Sequence, residues 1–271
     1  MNNVVQKVIM LWFFSFISVY SYAGADVEAC NVEKIKSNIL SHLESIRDYQ
    51  FTTEVLFDGT FANSQVKGKR PNQLYIQLSI QPPSKPLIIT AVYDGVHQWV
   101  QSKNSSMTHV MKIELAKLTS PQRPFDSSYN VMGTGLLNGE GYPTTISVLL
   151  TTYNLQAQCT NELINLSGRI NIDAFKKYAK TVKFLASKSD NVERFARLFG
   201  FINLNFDSND YTVRDYSFGA DSNAVKFHVK FSGVQINQGL DDMVFRYSPP
   251  SGVAVTDITN DLIMQNSQAI N

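Results

Sequence analysis

The chain has 271 residues, of which 44% are hydrophobic and 17% charged, a globular balance with enough apolar material for a sizeable core. Its formal net charge of +1 gives no basis for nucleic-acid binding, which usually needs a strongly basic face. No repeat, low-complexity linker or shift in composition divides the sequence, so we expect one domain.

The N-terminus has the pattern of a secretory signal peptide. Lys7 is the only charged residue before Asp26, and an apolar run over residues 8–19 is followed by small residues. We place cleavage after Ala25, with Ala23 as the alternative. A membrane anchor is disfavoured because spanning a bilayer takes about 20 apolar residues, and this run is shorter. The pattern predicts export.

Two cysteines, Cys30 and Cys159, follow the predicted cleavage site. In an oxidising compartment an even count permits one disulfide, with two free thiols as the alternative. Lipid attachment at Cys30 is disfavoured because Glu28 fits a lipobox poorly and because Cys30 lies well beyond the apolar run.

Residues 31–47 are predicted to form an amphipathic helix with Asn31 as its N-cap. The apolar residues at helical spacing are Val32, Ile35, Ile39, Leu43 and Ile46.

The period then changes to two, which is typical of antiparallel strands. Alternating or apolar segments cover residues 51–57, 74–80, 87–93, 97–99 and 107–113. Two Asp-Gly pairs mark tight turns between them.

The middle of the chain is predicted to be mainly helical. A helix covers residues 142–154, with Pro143 in its first turn, and a strand follows over 163–170. A lysine-rich amphipathic helix is predicted from residue 175 to 186, and a short one over 191–199. We interpret the lysines of this helix as a solvent-exposed face, and contact with an anionic membrane is the alternative.

In the C-terminal part of the chain, apolar and polar residues alternate again with a period of two. Strands are predicted over residues 202–206, 211–218, 225–231 and 243–247, and residues 258–271 form a polar tail. The order of helix, strands, helical middle and strands predicts an α+β fold, with one curved antiparallel sheet and helices on one face.

Sequence patterns for catalysis are missing. None of the four histidines, His42, His97, His109 and His228, belongs to an H-E-x-x-H pair, and no cysteine pair has zinc spacing. There is no G-x-S-x-G motif. We therefore expect no enzyme activity, no metal and no cofactor.

Three motifs occur in a characteristic order. KRPN at residues 69–72 precedes a strand, DGVHQW follows at 94–99, and FRYSPPSGVAV lies at 245–255. With the signal peptide and the leading helix, they resemble the LolA-type outer-membrane lipoprotein carriers and LolA-like periplasmic proteins. The resemblance covers about residues 32–113 and 201–257.

The resemblance implies an incomplete antiparallel β-barrel with helices forming a lid over an apolar cavity. This domain is expected over residues 26–257, with a helical insertion around 172–199. It also implies a periplasmic monomer that binds acylated lipoproteins or lipids and catalyses no reaction on them. An inner-membrane export complex and an outer-membrane receptor are the implied partners.

The motifs also suggest roles for single residues. Arg70 matches the family arginine that ties the lid to the barrel, and an ordinary surface arginine is the alternative. Leu74 and Ile76 are expected to face the cavity, and Trp99 either lines it or belongs to the core. Residues expected to shape the chain are Pro71, Asp94, Gly95, Pro249, Pro250 and Gly252.

Three functions follow from this resemblance. The first is a carrier that takes lipoproteins toward the outer membrane. The second is a lipid-sensing or envelope-stress adaptor without net transport, and the third is a structural envelope protein whose own side chains fill the barrel.

Overall fold

The fold is known from a computed structural model that describes residues 30–57, 59–81, 86–117, 141–181, 193 and 196–268. The predicted signal peptide, the loops predicted around residues 120–140 and the end of the lysine-rich helix lie outside these ranges.

Four α-helices are described. They are α1 (Val32–Ser45), α2 (Tyr142–Thr152), α3 (Ile172–Thr181) and α4 (Thr259–Gln268). Short 3-10 helices cover Leu115–Lys117 and Asp242–Phe245.

Strands make up most of the fold. In chain order they are β1 (Asp48–Phe57), β2 (Thr60–Lys69), β3 (Gln73–Ile80), β4 (Leu87–Tyr93), β5 (His97–Lys103), β6 (Thr108–Glu114), β7 (Tyr153–Cys159), β8 (Leu163–Ile170), β9 (Phe201–Asp207), β10 (Val213–Gly219), β11 (Val225–Ile236) and β12 (Val255–Asp257).

These strands form one 12-stranded sheet in the order β12-β6-β5-β4-β3-β2-β1-β11-β10-β9-β8-β7. Every pair of neighbours is antiparallel except β12, which runs parallel to β6. The sheet is curved and does not close, so β12 and β7 form its two edges. The predicted fold class, an open antiparallel half-barrel with helices, is confirmed.

Alternation along the strands separates two faces of the sheet. On β3, Leu74, Ile76 and Leu78 are buried, whereas Gln77 between them is exposed. We call the face that carries Leu74 and its cross-strand partners the inner face, and the opposite one the outer face. Most of the apolar core lies on the inner face.

Helices α1 and α2 pack on the inner face. The N-cap Asn31 accepts a hydrogen bond from the Lys34 N–H, and it places the apolar stripe of α1 toward the sheet. Ile39 and Leu43 of this stripe are almost fully buried in the core cluster. Burying a Leu or Ile side chain stabilises the fold by about 1.5 to 3 kcal/mol, so this stripe holds α1 firmly on the sheet.

The C-terminal segment covers part of the outer face. Phe245 is fully buried, and Val92 and Val110 on the outer face of β4 and β6 are buried as well. Beyond this segment, β12 adds the last strand along the edge of β6. The motif at residues 245–255 therefore leads along the outer face into the edge strand β12.

Several elements differ from the prediction. The strand predicted over 243–247 is wrong, because Asp241 caps a 3-10 helix there by accepting from the Met243 N–H. The polar tail begins with a helix, α4, and the predicted helix 142–154 ends at Thr152. β2 and β7 were not predicted, since small or polar residues weaken their alternation.

Among the described residues, no helix is both long enough and apolar enough to cross a membrane.

Candidate functional site

The inner face of the sheet is a continuous apolar surface to which the strands on both sides of β1 contribute. Cross-strand partners repeat the pattern: Leu74 pairs with Tyr93, and Ile76 lies between Val66 and Ala91. Its buried members include Tyr49, Phe51, Val55, Val66, Leu74, Ile76, Leu78, Tyr93, Leu166, Leu204, Phe206, Tyr216, Val229 and Phe231. Such a surface can hold an aliphatic chain only where a helix leaves it uncovered.

Helix α1 is held at both ends. Its N-terminal end is tied to the edge strand β7 by a disulfide between Cys30 and Cys159, whose Cα atoms lie 5.9 Å apart. Its C-terminal end continues directly into β1 and is contacted by Arg70 from the turn between β2 and β3. The helix therefore spans the distance between β7 and the β2–β3 turn.

The Arg70 guanidinium binds the last turn of α1. Nη1 donates to the Glu44 carbonyl at 2.9 Å, and Nη2 donates to the Leu43 carbonyl at 3.1 Å. The last carbonyls of a helix lack the regular partner four residues on, and the planar fork of an arginine can reach two of them at once. The Leu43 carbonyl also accepts from the Ile46 N–H at the C-cap, at 3.4 Å. The backbone N–H of Arg70 also donates to the Arg47 carbonyl at 2.8 Å. The three hydrogen bonds of Arg70 hold the C-terminal end of α1 against the β2–β3 turn.

The remaining predicted ligand-binding residues divide between the two faces. Leu74 and Ile76 lie buried on the inner face. Trp99 does not, because its cross-strand partner is Val92, which shares the outer face with Tyr75. Its ring packs against Tyr247 of the C-terminal segment, with centroids 5.3 Å apart. Of the two alternatives for Trp99, lining the cavity does not fit this position, because the half-buried side chain lies on the outer face against the C-terminal segment.

Two buried tyrosines fix the position of α2. The Tyr49 hydroxyl accepts from the Tyr142 N–H at the start of α2, at 3.2 Å. The Tyr142 hydroxyl accepts from the Val213 N–H at 3.3 Å. Burial raises the pKa of both hydroxyls well above the ordinary value, so both remain neutral. The sequence analysis missed these residues, since a tyrosine in a strand pattern gives no separate signal.

Gly68 makes room for the Tyr49 ring. Gly68 lies opposite Tyr49 on the inner face, and a Cβ atom there would overlap the ring. Glycine at this position therefore lets the Tyr49 ring approach the backbone of β2 closely.

Few polar groups interrupt the inner face. Thr53 and Ser64 are both buried and share a hydrogen bond of 2.6 Å, so they satisfy each other. Gln98 is 6% exposed, and its Oε1 has no hydrogen-bond partner in the structure as described. A buried acceptor without a partner costs free energy, and a ligand N–H or O–H reaching this point would satisfy it.

Asp94 and Gly95 of the DG motif lie in the turn between β4 and β5. Gly95 has a positive φ of 93°, which favours glycine. The Asp94 carboxylate accepts from the N–H groups of Val96 and His97 at 2.8 and 2.6 Å. Partial burial opposes ionisation, but these bonds and the His97 side chain hold the pKa of Asp94 below its usual range.

The proline residues of the other motifs lie in or directly before turns. Pro71 follows Arg70 through a cis peptide bond in the β2–β3 turn. The Pro250 carbonyl accepts from the Val253 N–H at 3.2 Å, and Gly252 between them has a positive φ of 77°. Pro249 is half-buried and precedes this turn. Their shape-determining role remains a prediction.

The described part of the chain contains no group of three or more His, Cys, Asp or Glu side chains placed to hold a metal ion. Among the described residues, the inner face offers apolar contact, a buried acceptor at Gln98 and helices held by hydrogen bonds from Arg70, Tyr49 and Tyr142. This arrangement suits binding of an apolar ligand.

Comparisons with known proteins give matches only among solved structures. No protein-family profile and no curated protein sequence matches the chain. An uncharacterized conserved protein from Thermus thermophilus matches with 11% identity and a TM-score of 0.41, over 82% of this chain and 98% of its own. The MucA/MucB complex of Pseudomonas aeruginosa matches with 6% identity and a TM-score of 0.39, over 81% of this chain and 62% of the other.

A LolA superfamily protein from Nitrosomonas europaea also matches, with 11% identity, a TM-score of 0.30, and coverage of 78% of this chain and 97% of its own. This is the family that the sequence motifs resemble. The chain spans about three fifths of the length of the matched MucB chain. At these identities and TM-scores the matches carry no argument about function, which has to be argued from the residues of this chain.

Proposed function

We propose that this chain is a non-enzymatic periplasmic binding protein. It holds the acyl chains of lipoproteins or lipids against its inner face and carries them toward the outer membrane. The observation that supports the proposal best is the composition of the inner face, which is apolar along the strands and is covered by helices instead of a second sheet.

Burial of an acyl chain supplies the binding energy. Each CH₂ group removed from water contributes about 0.8 kcal/mol. A chain of about 16 carbons therefore has on the order of 12 kcal/mol to gain, before the cost of immobilising it. Transfer to a partner protein then needs only a site on that partner that binds the acyl chain more tightly.

The bound state requires a helix to move. Side chains of α1 and α2 occupy much of the described inner face, so an acyl chain must displace part of them. The last turn of α1 is held by the two Arg70 hydrogen bonds. We propose that this turn acts as a lid, which opens to admit the acyl chain and re-forms the Arg70 bonds once the cargo is bound.

The strength of the Arg70 contact fits such a role. Arg70 is exposed, and the bond to Glu44 is exposed as well. Solvent screening reduces the strength of such bonds, and we assign about 1 to 2 kcal/mol to the pair. Since 1.4 kcal/mol is a tenfold change, losing Arg70 would shift the closed population by roughly 5- to 30-fold.

A release assay tests the proposal. The purified protein is incubated with inner-membrane vesicles that contain a tagged lipoprotein, and the soluble fraction is examined for a one-to-one complex. We expect a complex whose yield falls with Arg70→Leu, because the lid then no longer holds the cargo. Arg47→Leu is the matched control, since Arg47 is exposed nearby and its side chain makes no described hydrogen bond.

Failure to release any lipoprotein by the folded protein would exclude carriage of that cargo. A lipid-sensing adaptor or a structural protein would then be favoured. Two observations fit a structural role. The buried hydroxyls of Thr53 and Ser64 hydrogen-bond to each other, and side chains of α1 and α2 already occupy the inner face.

A further inference from the structure

Three exposed apolar side chains lie on the outer face of the central strands. Leu56 of β1 and Phe61 of β2 are direct cross-strand partners, 49% and 39% exposed. Ile88 of β4 lies two strands from Phe61 on the same face and is 37% exposed. We call this group, with the lysines described next, the outer patch.

Exposed lysines surround these apolar residues. Lys103 is the cross-strand partner of Ile88. Lys230 lies on β11, next to β1, and Lys226 lies four residues before it on the same strand. All three are exposed. The acidic residues beside Lys230 on this face are its cross-strand partners, Glu54 on β1 and Asp215 on β10.

These lysines differ from several other cations of the described chain. Lys36, Lys69, Lys112, Lys117 and Arg214 each form an ion pair with a carboxylate. In the ranges that the structure describes, Lys103, Lys226 and Lys230 form none, and the Asp215 carboxylate contacts His228 and Asn205 instead. Among the described residues the three ammonium groups are therefore not held in an ion pair, although Glu54 and Asp215 flank Lys230 on the neighbouring strands.

We propose that the outer patch docks the protein on the surface of an anionic phospholipid membrane. Leu56, Phe61 and Ile88 would enter the boundary between headgroups and acyl chains, while the lysines contact lipid phosphates. Isolated exposed apolar residues are common and need no explanation. The combination of paired apolar residues and unpaired lysines on one face is what favours a membrane.

This inference concerns the outer face and does not depend on acyl binding at the inner face. A docked outer patch would hold the central strands against a bilayer whether or not the inner face carries an acyl chain. The membrane contact and the carrier function can therefore fail separately.

Vesicle co-sedimentation tests the proposal. The full-length purified protein is mixed with vesicles of phosphatidylcholine alone, or with about a third phosphatidylglycerol. We expect binding to the anionic vesicles and at least about fivefold weaker binding to the neutral ones, since each lysine near an anionic surface contributes about a factor of five. Added salt should weaken the binding, because it screens the lysines.

Two variants separate the apolar and the charged contributions. Leu56→Ser combined with Phe61→Ser, and Lys226→Glu combined with Lys230→Glu, should each lower the partition coefficient by at least about fivefold. Val96→Ser is the control, because Val96 is 55% exposed but lies alone in the turn between β4 and β5. All these positions are exposed, and circular dichroism checks that each variant is folded.

Three outcomes would overturn the proposal. They are an absence of binding to anionic vesicles, binding that neither double variant weakens, and binding that Val96→Ser weakens equally. Retention of another protein by the patch without vesicle binding would also reject the membrane as its partner.

Discussion

The disulfide between Cys30 and Cys159 is expected to contribute a large part of the stability of this fold. It joins positions 129 residues apart and ties α1 to the edge strand β7. Cross-linking a loop of this length removes about 17 cal/mol/K of entropy from the unfolded chain, or roughly 5 kcal/mol at 25 °C. Measured values often fall below this figure, so we expect a loss of about 2 to 5 kcal/mol.

The test compares the oxidised protein with the double variant Cys30→Ser, Cys159→Ser. Urea unfolding followed by circular dichroism gives the free energy of unfolding of both proteins. The double variant leaves no unpaired thiol, and reducing agent should destabilise the wild type while leaving the variant unchanged. Amide exchange should also increase first in the N-terminal turn of α1, where the tether is lost. A difference below about 1 kcal/mol would show that the tether does not restrict the unfolded chain, and the reasoning would be wrong.

Three further predictions concern single contacts. Gly68→Ala should lower the free energy of unfolding by about 1 to 3 kcal/mol, because the new Cβ overlaps the Tyr49 ring. Tyr49→Phe should cost about 1 to 2 kcal/mol, since the buried Tyr142 N–H loses its acceptor. The pKa of Asp94 is lower in the folded protein than in the unfolded chain despite the opposing effect of burial. Its stabilisation is therefore present above about pH 4 and is lost as the pH falls.

Urea titrations check all three predictions. For Asp94, the difference in unfolding free energy between the wild type and Asp94→Asn should shrink from about pH 5 to about pH 2. A difference that grows toward low pH would contradict the sign of the pKa shift. Gly59→Ala is a control for Gly68→Ala, because its added Cβ meets no neighbouring atom and the strain there comes from its positive φ. Wild-type stability of Gly68→Ala would mean that the Tyr49 ring can move aside.

The sequence predicted the elements whose pattern reflects direct burial. The stripe of α1 from Ile35 to Ile46 and the alternation of β3 and β11 appear in the structure as buried faces. β7 was missed because edge strands bury less and its alternating residues include Ala157 and Cys159. The segment at 243–247 has an apolar composition typical of a strand, but it packs across the outer face.

The site was only partly predictable. The KRPN motif identified Arg70, but only the fold shows that its partners are the Leu43 and Glu44 carbonyls. Trp99 could not be assigned to a face from its motif, because a shift of one residue in a strand exchanges inner and outer. The Tyr49–Tyr142 contact joins residues 93 positions apart in sequence and requires the three-dimensional structure.

The measurement that tests the account most directly is site-specific photo-crosslinking to an acyl chain. A photoreactive amino acid is placed at Ile76 on the inner face or at Gln77, its exposed neighbour on the outer face. If the Ile76 variant unfolds, Ala91, its half-buried cross-strand partner, takes its place. The account predicts adducts with the acyl chains of a lipoprotein from the inner position and few from Gln77. Equal labelling from both positions, or none from the inner face of a folded protein, would contradict acyl binding at this face.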